Sequence, residues 1–476
     1  MLKYDLTYSN NSATLFERIR HLDWAVWLDS GKPAGKYGRY DIMVATPFIK
    51  LTTVGSSTKV ERAGCLETSL DDPFLLLNDL LRQYKTEPNT SPFVGGALGY
   101  FAYDLGRRVE NIPVIATRTL DVPEMMIGFY DWAVVVDHQL QASYLVSALL
   151  HHETKQQWQM LCDLLSSTPA NESIGLNQEI TNQDLAVSDC AQKLSFKLDS
   201  DLQSNFTEAS YSQAFNAIKR YILEGDCYQV NLAQRFSASA SGDAWAAYKM
   251  LREISPAPFM SFMNYPGLQV LSGSPERFIQ VKNKLVETRP IKGTRPRSED
   301  PVQDAQNASD LQNSLKDRAE NVMIVDLLRN DIGKNCEIGT VKASDLFKLQ
   351  SFANVHHLVS IVTGKLAKDK TAIDVLRGSF PGGSITGAPK LRAMQIIEEL
   401  EPNCRNIYCG SIGYISFDGQ MDTNIAIRTA VYSQNRVEFQ AGGGIVADSE
   451  LNKEYAETLD KAASLIKTMQ HFRGSD

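Results

Sequence analysis

The chain has 476 residues, with 48 Lys+Arg against 56 Asp+Glu, a net charge of -8 and a pI near 5.5. That balance leaves no basic surplus to neutralise phosphates, which argues against nucleic acid as a partner. With 43% hydrophobic residues and a mean hydropathy of -0.24, a sizeable core is expected, and without an apolar run of about 18 residues no membrane span is expected. Seven cysteines, odd in number and without C-x-x-C spacing, fit reduced thiols. The polar start Met1-Leu2-Lys3-Tyr4-Asp5 lacks a secretory apolar stretch, so the expected location is cytoplasmic.

In chain order, residues 1–165 read as strand-rich with interspersed helices. Trp24 to Leu28 is an apolar run closed by the turn Asp29-Ser30-Gly31. Residues 41–53 alternate as one strand, Leu75 to Leu81 has helical spacing, and residues 131–137 form the valine-rich run of a buried strand. Residues 166–205 turn to Ser, Asn, Gln and Asp, predicting a surface connection and the domain boundary. In residues 206–470, Tyr211 to Glu224 reads as a helix and Tyr228 to Leu232 as a strand. Asp310 to Asp331 reads as one long helix with a broad apolar face, and Leu451 to Met469 as a closing helix. No tandem repeat is visible, and the irregular alternation of strands and helices points to an α+β composite.

Several motifs exclude themselves. Gly382 to Gly387 has the glycine spacing of a phosphate loop, but Ala388-Pro389 follows where Lys-Ser/Thr is needed. Gly442-Gly443-Gly444 lacks the dinucleotide pattern, and adjacent His356 and His357 would point to opposite sides of a strand rather than share a metal. Carboxylates and a lysine remain. Glu454, Glu457 and Lys461 fall on one face of the closing helix. They read either as a solvated charged stripe or, if a second helix brings Glu320 to meet them, as part of a Mg²⁺ site. Glu276, in Ser274-Pro275-Glu276-Arg277-Phe278, abuts a strand-like run, and Lys292, before Gly293, has a surface turn lysine as its plain alternative.

These segments join Arg289-Pro290-Ile291-Lys292-Gly293-Thr294, the run from Lys316 to Asn321, Val325 to Gly333, Gly383 to Lys390, Ile425 to Arg428, Ala441 to Gly444 and Glu454 to Glu457. On these motifs the chain resembles the chorismate-utilising enzymes almost end to end, and within them the aminodeoxychorismate synthase component I branch. The resemblance implies an anthranilate synthase component I-like α+β fold. In it two β-sheets pack face to face, helices lie outside, and the N- and C-terminal parts interleave. It implies Mg²⁺-dependent amination of chorismate at C4, giving 4-amino-4-deoxychorismate for p-aminobenzoate and folate synthesis. Lys292 stands where anthranilate and isochorismate synthases generally have Ala, and Gln229 where water-adding relatives have a lysine base.

On that resemblance Lys292 is the nucleophile and Glu276 the acid and base. Glu320 and Glu457, with Glu454 close by, hold Mg²⁺. His357, Ser384, Thr386, Tyr408, Arg428, Lys461 and the backbone of Gly442, Gly443 and Gly444 bind substrate. Lys390 reads as structural. Ammonia is expected from a partner, a glutamine amidotransferase component II, because none of the seven cysteines sits in a glycine-flanked elbow. A tryptophan pocket is implied at Ser30, Pro258 and Met260, with Asp29 and Ser255 departing from the pattern of the anthranilate enzymes. The alternatives are anthranilate synthase component I and a catalytically silent tryptophan-sensing subunit, whose carboxylate set would be degraded.

Overall fold

Alternation of side chains along the strands divides the core into layers. The computed structural model describes residues 1–31, 38–166, 195–351 and 355–474, so residues 167–194 of the expected surface connection lie outside the described residues. Among the described residues two antiparallel sheets of thirteen and twelve strands form. In strand Ala25–Asp29 of the first sheet, Val26 joins the core between the sheets, whereas Ala25 and Trp27 join the core beneath the outer helices. Strand Trp132–Asp137 repeats the split, with Ala133 and Val135 inside and Val134 and Val136 outside. In strand Gly96–Phe101 of the second sheet, Leu98 and Tyr100 meet that same inner layer. The sheets therefore pack face to face. Burial on both faces is why residues 131–137 read as a continuous apolar run.

Helices Ala13–Ile19, Trp245–Ile254 and Leu451–His471 cover the first sheet through Phe16, Trp245 and Leu465. Helices Pro73–Gln83, Leu315–Gly333 and Ala372–Ser379 cover the second through Phe74, Val325 and Leu376. Early and late strands share both sheets: Ala25–Asp29 pairs with Phe259–Tyr265, and Gly96–Phe101 pairs with Ser411–Ser416. The sequence boundary near residue 200 therefore does not separate two sheets. Among the described residues no helix is long and apolar enough to cross a membrane.

Two elements differ from the sequence reading. The single strand expected over residues 41–53 is two strands, Tyr40–Val44 in the first sheet and Ile49–Val54 in the second. Thr46 takes a left-handed φ of 53° just before Pro47, and the chain crosses between sheets there. The long helix expected over residues 310–331 breaks at Ser314 into Pro301–Asn313 and Leu315–Gly333. Ser314 leaves helical geometry and its side chain accepts a hydrogen bond from the Asp317 backbone N–H at 3.2 Å, capping the second helix.

One buried ion pair ties the layers together. The Arg405 guanidinium donates to both Glu401 oxygens at 2.9 and 2.7 Å, and to the carbonyls of Ile385 and Asn231 at 3.0 and 2.9 Å. Glu401 in turn accepts from the Ala233 backbone N–H at 2.9 Å. The pair thus joins strand Gln229–Ser241 to the 383–386 turn. Arg405→Ala is expected to cost about 3–5 kcal/mol in urea unfolding, because Glu401 would stay buried and unpaired. A loss below about 1 kcal/mol would show that the pair carries little.

Candidate active site

The residues singled out by sequence come from both sheets and from one helix on each outer layer. The edge strand Ile291–Pro296 of the second sheet presents Lys292, and its neighbour, strand Val355–Lys365, presents His357. In the first sheet, strand Arg436–Ile445 places Gly443 and Gly444 opposite Leu232 and Asn231. Helix Leu315–Gly333 supplies Glu320, and helix Leu451–His471 supplies Glu454, Glu457 and Lys461. Glu276 sits between strands Leu268–Ser274 and Arg277–Lys282.

Glu276 and Lys292 share one electrostatic environment. Burial pushes the Glu276 carboxyl up to about 7, against the opposing pull of Lys292, a Ser384 hydrogen bond, Lys461 and Arg428. Ser384 Oγ donates that bond to Glu276 Oε1 at 3.1 Å. Burial also lowers the Lys292 ammonium below its ordinary value, opposed mainly by Glu320 and reinforced by Lys461. The same burial thus moves the acid and the amine toward their neutral forms. Arg428 is lowered by burial, with Glu276 opposing, and holds a left-handed φ of 50°.

The carboxylates Glu320, Glu454 and Glu457 all lie within the field of Lys316. Burial raises Glu320, while Lys292 and Lys316 oppose it. Burial raises Glu454, although Ser449 Oγ donates to its Oε1 at 2.6 Å. Burial would raise Glu457 too, but Lys461, paired with its Oε1 at 2.6 Å, holds the net value below the ordinary one. A Cβ on Gly443 would stand 3.1 Å from Glu454 Oε2 and 3.5 Å from Glu457 Oε1, so the bare backbone allows both oxygens to approach. Glu454 Oε2 is buried with no hydrogen-bond partner. Among the described residues no three His, Cys, Asp or Glu side chains are already gathered as a metal cage. Mg²⁺ takes few protein carboxylates and leaves positions for substrate oxygens, so an all-oxygen set with one orphaned buried oxygen fits it.

The other expected residues divide. His357 is buried, its ring hydrogen-bonded to Thr294 Oγ1 at 2.9 Å. Burial, with Arg428 adding, pushes it down to about 4, so it is neutral near pH 7. The Gly442 carbonyl accepts from Lys461 Nζ at 3.0 Å. Thr386 spends its hydroxyl inside its own turn, on the Gly382 and Gly383 carbonyls at 3.0 and 3.3 Å. Tyr408 is buried with its ring 5.7 Å from the Arg405 guanidinium. Lys390 pairs with Asp331 at 2.6 Å, as its structural reading requires.

A cavity of about 330 Å³ lies elsewhere, lined by Asp29, Tyr40, Pro258, Met260, Arg277 and Tyr414 among others. Asp29 is committed to Arg252 at 2.6 Å and to the Tyr248 hydroxyl at 2.8 Å. Ser30 turns its hydroxyl to Asp41 at 2.6 Å rather than lining that cavity.

Sequence reasoning did not assign Thr294 or Ser449, and it read Gln229 only as a residue standing in place of a lysine base. Gln229 is wholly buried with both amide atoms unpartnered, and a Cβ on Gly444 would stand 2.8 Å from its Nε2. Thr294 orients His357, and Ser449 orients Glu454. Only Ser449 left a local signal, as a small hydroxyl residue just before a helix.

The model of the family described as chorismate binding enzyme matches residues 25–467. The chain is 47% identical over 458 residues to aminodeoxychorismate synthase component 1 of Escherichia coli (strain K12), covering 96% of this chain and 95% of that protein. It is 34% identical over 463 residues to anthranilate synthase component 1 of Acetivibrio thermocellus, covering 96% and 92%. The crystal structure of anthranilate synthase component I from Streptococcus pneumoniae superposes with a TM-score of 0.76 at 32% identity, covering 91% of this chain and 93% of that one.

Because Lys292 and the Ser384 hydroxyl both hold Glu276 down, Ser384→Ala and Lys292→Ala are each expected to raise its midpoint above about 7. Carboxyl-carbon NMR of the ligand-free protein reads that midpoint directly. A downward shift in either variant would contradict the arrangement.

Proposed function

The chain belongs to the chorismate-binding enzymes, and from that premise we propose that it aminates chorismate at C4 to give 4-amino-4-deoxychorismate. The product would feed p-aminobenzoate and folate synthesis. The observation that carries this reading is the burial of Lys292 in the same field as Glu276. Component 1 in the names of the relatives supports a second component, here a glutamine amidotransferase component II that delivers ammonia.

In the reaction the uncharged Lys292 amine attacks C2, the two conjugated ring double bonds shift, and the C4–O bond breaks. The hydroxyl leaves as water with the proton of Glu276, which becomes a carboxylate. Ammonia then attacks C4, both double bonds shift back and the C2–N bond breaks, returning the neutral amine to Lys292. The new C4 ammonium gives its proton to Glu276, so the acid is restored. Splitting one displacement into two asks Lys292 to be neutral and Glu276 protonated at the same pH, and burial shifts both groups in that direction. Arg428 offers a planar fork for a substrate carboxylate, with Tyr408 and the Gly442–Gly444 backbone as further candidates for that end of the substrate. Lys461 and neutral His357 suit the ring carboxylate and the C4 hydroxyl. Mg²⁺ held by Glu320, Glu454 and Glu457 would supply positive charge against the ring carboxylate.

Chorismate without ammonia is expected to leave an adduct on Lys292, detected by intact-protein mass and peptide mapping. Lys292→Ala should abolish it, and Lys292→Arg should fare no better, because a guanidinium stays protonated. Substantial turnover by Lys292→Arg with no trapped adduct would reduce Lys292 to an electrostatic clamp. On the alkaline side the rate should fall as Glu276 loses its proton near pH 7, and on the acid side as Lys292 gains one.

A second reading concerns the 330 Å³ cavity, whose Pro258 and Met260 walls favour an apolar ring and whose charged rim suits an amino acid such as tryptophan. Ser30 would act there by holding Asp41 behind the Asp29 wall. Added tryptophan should raise the melting temperature, or be released on denaturation, because a ligand specific to the native state stabilises it. Neither effect at millimolar tryptophan would remove this reading.

A further inference from the structure

The acidic side of the site holds one cation to which the proposed reaction gives no task. Lys316 Nζ stands 3.9 Å from Glu320 Oε1, one turn along the same helix, and 3.9 Å from Asp448 Oδ1, in the turn before the closing helix. Its charge also pulls Glu454 and Glu457 downward. Lys461, by contrast, is fixed at 2.6 Å on Glu457 and 3.0 Å on the Gly442 carbonyl. Neither Lys316 distance is that of a hydrogen bond, and the side chain is about half exposed, at 49%. Its ammonium is therefore shared between two carboxylates and not locked on either.

A second observation is independent of that lysine. Glu454 is only 6% exposed, yet its Oε2 has no partner and faces the gap over Gly443 that Glu457 Oε1 also borders. A buried carboxylate oxygen without a donor is costly, and a cation relieves the cost. Four carboxylates from two helices and one turn thus lie within the field of Lys316, whose charge offsets them.

We propose that Lys316 is the internal counter-cation of this acidic set, balancing Glu320 and Asp448 until a divalent cation binds Glu320, Glu454 and Glu457 and displaces it. The proposal rests on the Mg²⁺ reading above and adds a competitor to it. A lysine suits the task, because its ammonium is a point charge on a flexible stem that can swing into water. The protein then avoids an unbalanced acidic cavity when empty, and gives up some metal affinity in exchange.

Calorimetric titration of MgCl₂ into the full chain at physiological ionic strength tests this without recourse to activity. Lys316→Gln is expected to bind Mg²⁺ about three- to fivefold more tightly than wild type, the scale of one exposed ion pair. Lys453→Gln removes an exposed positive charge next to Glu454 in sequence, one paired with Glu450 at 2.7 Å, and should leave the affinity unchanged. Equal affinity in wild type and Lys316→Gln, or an equal gain in Lys453→Gln, would overturn the counter-cation role while leaving the metal reading standing. No saturable binding by any of the three chains, with or without chorismate, would overturn the metal reading and this proposal together.

Discussion

Burial of a carboxyl and an amine within each other's electrostatic field is the constraint on which the rest of the site turns. In water Glu276 would be charged and Lys292 charged, and neither could donate or attack. Desolvation penalises both charged forms, so the carboxyl rises and the amine falls. Mutual attraction opposes the drift, since each group is also pulled back toward its ion by the other. Glu276 settles near 7, inside the range where an acid works at neutral pH, because burial outweighs Lys292, Ser384, Lys461 and Arg428 combined. The surrounding charges act as trim on a term set by exclusion of water.

Excluding water from that place while keeping it open to a substrate requires walls that come from far apart in the chain. Lys292 and His357 lie on neighbouring strands at one edge of the second sheet, and the glycine strand belongs to the first. Glu320 and Glu457 ride on helices that cover opposite outer faces of the molecule. The buried Arg405–Glu401 pair holds the junction by binding carbonyls of strand Gln229–Ser241 and of the turn that carries Ser384. Its guanidinium also lies against the rings of Tyr103 and Tyr408, at 4.8 and 5.7 Å. Placement of the Glu276 hydrogen-bond donor therefore depends on an ion pair that itself never reaches the cavity.

The residues proposed for the chemistry were legible because each sits in a short ordered motif, and Lys292 lies within the electrostatic field of Glu276, Glu320 and Glu457. The layers were legible too, since a strand buried on both faces must read as WAVVV. The break at Ser314 was readable in principle from its S-x-x-D cap, but the apolar face continuing beyond it masked the cap. Other features had no local signal. Thr294 meets His357 only because their strands are paired, and the bare Gly444 leaves room for the buried Gln229 amide. The commitment of the Thr386 hydroxyl to its own turn, and of Ser30 to Asp41, is equally a matter of three-dimensional placement.

The same strand geometry brings the reactive site and the separate cavity within one residue of each other. Successive side chains of an extended segment point to opposite sides, so Glu276 faces Ser384 and Lys292 while Arg277 lines the cavity. Arg277 donates to both Asp422 oxygens at 2.9 Å, and Asp422 is itself part of the cavity wall. The Glu276 carbonyl accepts from the Ile425 backbone N–H at 3.0 Å, three residues along the strand that carries Asp422. Ser274 Oγ closes the loop by donating to the Ile425 carbonyl at 2.6 Å. The Arg277–Asp422 pair is thus joined through a doubly hydrogen-bonded junction to Glu276, the proposed acid.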